Sequence, residues 1–190
     1  DNYPITTAYS NSQNILDIGF LNDKKLVTYQ NSSNVDVDIY DAALGAGSEK
    51  EKTLTISGIT PIYTFTKILK EFVDDGSNPD IENKYLINII LKDDYTISLN
   101  CIASSDIGTG SFTSTTISGV TDTLVVHQIV NVLILKNTAM VDYIEGDAYY
   151  NNQGKHNILI IGNNVVSKKA YAIKLSLDTA TKQFSLVGSI

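Results

Sequence analysis

The sequence predicts a mainly β protein, a β-sandwich or barrel-like fold built from repeated β-hairpin units, with one or two short α-helices. Three observations carry that reading. The phrase Thr55-Ile56-Ser57-Gly58-Ile59-Thr60 returns as Thr116-Ile117-Ser118-Gly119-Val120-Thr121, and a frayed version, Ser185-Leu186-Val187-Gly188-Ser189-Ile190, stands last. Recurrence of this kind marks one supersecondary unit copied and stacked against itself. Alternating apolar runs flank short turns rich in Asn, Asp, Lys and Gly, which is a hairpin signal. Helical spacing with a clean start and stop occurs in one segment, centred on Ile62 to Val73.

Residues 1–13 carry little apolar periodicity and read as a polar arm ahead of a single β-rich domain, 14–190. The first hairpin is Leu16-Asp17-Ile18-Gly19-Phe20-Leu21-Asn22-Asp23 with the strand ending Val27-Thr28-Tyr29-Gln30. It lies over Leu86-Ile87-Asn88-Ile89-Ile90-Leu91-Lys92-Asp93 and Ile97-Ser98-Leu99-Asn100. A third hairpin runs from Ile158-Leu159-Ile160-Ile161 through Gly162-Asn163-Asn164 to Tyr171-Ala172-Ile173-Lys174-Leu175. These matches divide the domain into units of about 14–83, 84–155 and 156–190. Repeated four-stranded units would also suit a propeller-like ring, but the spacing is uneven.

Between the hairpins, Val35-Asp36-Val37-Asp38-Ile39-Tyr40 alternates, which predicts Val35, Val37 and Ile39 on a core face and the acids on a wet one. Ala42 to Lys52 reads as a loop and Thr53 to Ser57 as a strand. Thr60-Pro61 then opens the expected helix, Pro61 to Val73, because Thr suits the N-cap and Pro the first helical position. Ile62, Phe65, Ile68, Leu69, Phe72 and Val73 fall on one helical face, and Gly76 stops the run. The segment 122–135 is apolar nearly all round, so periodicity leaves helix and strand open. The remainder reads as strands, with a turn at Asp178 to Lys182.

The net charge is −7, with 14 basic residues, all of them lysine, and 21 acidic ones. Arg is the residue suited to bidentate grips on phosphate and guanine. Its absence and the acidic balance argue against nucleic acid as a partner. The single Cys101 excludes an internal disulfide and a cysteine-based zinc site. It falls on the same face as Tyr95, Ile97 and Leu99, as a small buried hydrophobe would. Neither a signal peptide nor an apolar run long enough to cross a bilayer is expected.

Catalytic constellations are not apparent. With His127 and His156 as the two imidazoles and no nucleophile elbow, the chain is not expected to be an enzyme. Gly45-Ala46-Gly47-Ser48-Glu49-Lys50 lacks phosphate-loop spacing. Asn31-Ser32-Ser33 is a formal glycosylation sequon. The acidic loop offers Asp74, Asp75, Asn78, Asp80 and Glu82 as hard oxygen ligands for Ca2+, the one cofactor considered. A second group, Asp142, Glu145 and Asp147, precedes Tyr149, Tyr150 and Asn151, a cluster suited to sugar hydroxyls. The expected function is a structural subunit of an extracellular or virion assembly (capsid, tail or filament) that self-associates with copies of itself or neighbouring structural proteins. The alternative is a glycan- or cell-surface-binding β module, Ca2+-dependent through the acidic loop.

Overall fold

The computed structural model describes residues 14–21, 24–41, 50–73, 81–117, 126–135, 139–144, 147–151 and 155–189. The polar arm 1–13 and the Gly-rich loop 42–49 lie outside them. The chain is mainly β, and its strands form three four-stranded antiparallel sheets. The first sheet is a meander of β1 (Asn14–Leu21), β2 (Lys24–Asn31), β3 (Asn34–Asp41) and β4 (Lys50–Ser57). The second repeats it with β5 (Pro61–Val73), β6 (Ile81–Lys92), β7 (Ile97–Ala103) and β8 (Thr113–Ile117). β9 (Gln128–Leu135) is followed by a separate hairpin of β10 (Ala139–Ile144) and β11 (Asp147–Asn151). The third sheet then resumes with β12 (Lys155–Asn164), β13 (Lys169–Asp178) and β14 (Gln183–Ser189), in the order β14-β13-β12-β9.

The three sheets stack face on face, with the second in the middle. Ile87, Ile89, Leu91, Leu99 and Cys101 point from it toward Ile158, Ile160, Ile173, Leu175 and Phe184 of the third. Leu86 and Ile102 point the other way, onto Leu26, Val37, Ile39 and Leu54 of the first, with Ile90 meeting Val35 and Ile56 nearby. The opening strands lie side by side, β1 next to β5 and β5 next to β9. Successive blades of a propeller pack in this way, with four-stranded meanders set radially. Every residue of β6 from Tyr85 to Leu91 is buried, whereas β12 alternates buried and half-buried along its length.

The recurring phrase has a structural meaning. It ends the last strand of each sheet: β4, β8 and β14. After β4, Gly58 takes φ +70°, a left-handed conformation that glycine adopts without steric cost. Sheet boundaries therefore fall after Ser57 and Ile117, whereas the units matched by hairpin end near 83 and 155, inside sheets. The first matched hairpin is β1–β2, the opening pair of its sheet, while the other two are the central pairs β6–β7 and β12–β13.

Pro61 to Val73 is not a helix but strand β5, paired with β6 from Pro61↔Lys92 to Val73↔Ile81. Its apolar residues serve two covered faces: Phe65 and Leu69 turn toward the third sheet, Ile68 toward the first. With both faces apolar, the period of two vanishes and an accidental helical stripe remains. The open segment 122–135 is strand from Gln128 onward, and the helical residues described are one 3-10 turn, Ser104–Asp106. Val35, Val37 and Ile39 face the core as expected, but Asp36 and Asp38 are not wet: they are 4% and 3% exposed.

Candidate functional site

The described residues among those singled out from the sequence, Glu82 and Tyr149 to Asn151, fall on different strands of different sheets. Asp74, Asp75, Asn78 and Asp80 lie outside the described residues. Glu82 lies among them, on β6, and its carboxylate is taken up by Lys84 at 2.8 Å and Lys70 at 3.2 Å. The hydrogen bond from Lys84 above all, reinforced by Lys70, holds its carboxyl below the ordinary value. A carboxylate so engaged offers little to a cation. Tyr149, Tyr150 and Asn151 lie on β11, where Tyr150 pairs with Met140 and Asn151 with Ala139. Among the described residues, no group of three His, Cys, Asp or Glu is placed to hold a metal ion.

Glu82 borders a cleft of about 570 Å³ where the first and second sheets diverge, lined by Lys24, Glu51, Lys52, Lys84 and Tyr85 among others. Its charges are satisfied within the protein. Lys24 reaches Glu51 at 2.6 Å, and Lys52 donates to the carbonyls of Gly108 and Gly110 at 3.0 and 3.2 Å. Nothing in this arrangement leaves a charged group aimed at a ligand.

Polar chemistry is concentrated in two places. Between the second and third sheets, Glu71 Oε1 accepts from Thr179 Oγ1 at 2.7 Å and meets His156 Nε2 at 3.1 Å. Its Oε2 accepts from the Tyr85 hydroxyl at 3.1 Å. Glu71 and His156 are fully buried, so this network fastens two sheets together and has no route to a substrate. On the far side of the first sheet, Asp38 accepts from Thr53 Oγ1 at 2.5 Å and from the Tyr40 and Tyr29 hydroxyls at 3.3 and 3.5 Å, with Lys50 Nζ 3.5 Å away. Asp36 Oδ2 accepts from Asn31 Nδ2 at 2.8 Å. The Glu71 network has no sequence signature, because its members come from segments far apart in the chain, whereas the Asp36 and Asp38 contacts join neighbouring strands. Cys101 is buried, and burial pushes its thiol up to about 12, which makes it unreactive at neutral pH.

The remaining feature is a surface. Leu159 and Ile161 stand on the outward side of β12, an interior strand of the third sheet. Register places Leu133 of β9 beside Leu159, and Ala172 of β13 beside Ile161. Leu133 is 39% exposed and Leu159, Ile161 and Ala172 are half-buried. Asn157, Lys174, Ser176 and Asn131 surround them on the same side. An antiparallel sheet with one face in water ordinarily makes that face polar. This one is apolar in the middle and polar at its rim, which is the anatomy of an interaction surface.

A scan against protein-family models gives no match to this sequence, and a search of curated proteins gives none either. No helix among the described residues is long and apolar enough to cross a membrane.

Proposed function

We propose that the protein is a structural subunit of an extracellular or virion assembly and works by self-association through the outward face of its third sheet. The observation that carries this reading is the contrast between β6, covered on both sides, and β12, covered on one. The stack buries sheet against sheet twice, and its third sheet presents Leu133, Leu159, Ile161 and Ala172 to the next layer. The opposite end of the stack is less open, since Tyr29, Asp36, Asp38 and Tyr40 on its outward side are buried. Two copies are therefore best joined third sheet to third sheet about a two-fold axis, which sets the same patch against itself and carries Lys174 to the rim. Contacts beyond the dimer have Ile15, Ile18 and Phe20 on β1 to use, exposed by 41%, 40% and 62%. Asn, Ser, Thr and Tyr richness with only 18% charged residues suits a secreted or virion surface.

The test is light scattering across a concentration series for the natural sequence and for Leu159→Asp. A dimer or larger species is expected to fall to monomer mass in the variant, with the β-sheet circular dichroism unchanged. A natural protein that stays monomeric at every concentration would sink this reading.

A further inference from the structure

At the end of the stack where β6 turns into β7, five residues form one continuous run. The Tyr95 ring meets the His127 ring edge to face at 4.5 Å. The His127 backbone N–H donates to the Asn163 carbonyl at 2.9 Å. Asn163 Nδ2 donates to Gln128 Oε1 at 3.1 Å, and Gln128 Nε2 donates to the Tyr63 hydroxyl at 3.0 Å. Three aromatic rings and two amides thus come together from the second and third sheets, with no charged side chain in the run.

Three features of this run leave it incomplete. Both amide donations run one way, from Asn163 to Gln128 to Tyr63, so the hydroxyl of Tyr63 accepts and keeps its own proton to give. At the other end, Asn163 Oδ1 and His127 Nδ1 are buried without a hydrogen-bond partner. Orphaned buried polar atoms are rare in folded proteins, and each is costly until a partner reaches it. The third feature is Tyr95 itself. Its turn, closed by Tyr95 N–H to the Lys92 carbonyl at 2.9 Å, holds it at φ 62°. Glycine or asparagine is the ordinary occupant of such a position, and a bulky aromatic there stores backbone strain. Among the described residues, Ser32, Lys168 and Lys182 are the other non-glycine residues with positive φ, none of them aromatic. The strained position holds out a ring that is 42% exposed.

We propose that this run is a binding site for a neutral saccharide. The exposed Tyr95 ring offers a face for the C–H side of a pyranose. The Tyr63 hydroxyl donates to one sugar oxygen, and Asn163 Oδ1 accepts from a neighbouring hydroxyl. A vicinal diol has that donor-and-acceptor pairing, and an anion does not, since Asn163 Oδ1 asks for a hydrogen. The site borders the outward patch, since Asn163 follows Ile161 on the same side of β12, but it draws on different residues, and either assignment can fail without the other.

The experiment is amide-resolved NMR titration of the whole chain with glucose, galactose, mannose and N-acetylglucosamine and their short oligomers, and with inorganic phosphate. The expected result is saturable shifts at Tyr95, His127 and Asn163 with at least one sugar, half-complete at roughly 1 mM, and none with phosphate. Tyr95→Gly relieves the positive φ and so stays folded; it is expected to weaken binding about five- to ten-fold, the worth of one aromatic face. Gln128→Leu, which breaks the relay to Tyr63, is expected to weaken it further. No saturable shift with any sugar overturns the assignment, and so does binding of equal strength in Tyr95→Gly. A response to phosphate at the same amides overturns it too.

Discussion

Asp36 and Asp38 show how far a single side chain can depart from what its place in the sequence predicts. Alternation correctly sends Val35, Val37 and Ile39 to the core, but the acids between them are buried as well, hydrogen-bonded to Asn31, Thr53, Tyr29 and Tyr40. Two tyrosines register these buried carboxylates. Burial first, and then the charges of Asp38 and Asp36, push Tyr29 from 10.0 to about 12, while burial and Glu71 do the same to Tyr85. A phenol whose folded pKa lies above its unfolded one holds its proton more tightly when folded. Its contribution to stability is complete below about pH 10 and is lost as pH rises through about 12. Each shift corresponds to on the order of 2–3 kcal/mol. In an alkaline titration, two of the 11 tyrosines are therefore expected to ionise late and together with loss of the β-sheet signal. Tyrosinate absorbance that is complete by about pH 11 with the fold intact would contradict this. Cys101 is the opposite case. Its alternating neighbours suffice to place it in the core, where it is found.

Strand β12 illustrates what an element needs besides its pattern. Gly162 sits in it opposite a bulge in β9, where an added Cβ would lie 2.6 Å from Val126 Cγ1 and 2.7 Å from the Gln128 carbonyl oxygen. The second of these is backbone and has nowhere to move. Gly162→Ala is expected to cost about 1–3 kcal/mol, read as a lower urea midpoint with an unchanged slope. From the sequence this glycine belonged to a turn, since Gly162-Asn163-Asn164 resembles one; the turn lies a few residues later, at 165–168. Strand β5 failed differently. A Thr-Pro start, a Gly stop and apolar residues at helical spacing all favoured a helix, yet β6 pairs with its full length. Local preference of a few tenths of a kcal/mol per residue yields to a twelve-residue ladder partner and two apolar sheets on either side. The recurring phrase was legible, but its position within the unit was not, because a last strand and a hairpin look alike until pairing partners are known.

Across the whole molecule, position in the stack decides what a residue is worth. Ile89 faces the third sheet and Ile90 the first, and both are fully buried. Replacing either by Ala is expected to cost about 3 kcal/mol or more. Ile161→Ala, on the open face of the third sheet, is expected to cost about 1 kcal/mol or less in dilute solution, and more as rising concentration brings a second copy onto it. Denaturation of the three variants at low and high protein concentration checks this, and an Ile161→Ala cost independent of concentration would count against self-association through that face. The sequence by itself determined the mainly β class, the repetition, the hairpins and the burial of Cys101, because these follow from period-two alternation and turn chemistry within a few residues. Only the tertiary structure decided that the four-stranded sheets among the described residues number three and that the second lies between the others. It also decided that β5 is a strand, that Glu71, Tyr85, His156 and Thr179 meet, and that Tyr63, Tyr95, His127, Gln128 and Asn163 form one run. Those outcomes depend on which face covers which, and contacts between residues up to 108 positions apart leave no trace in local spacing.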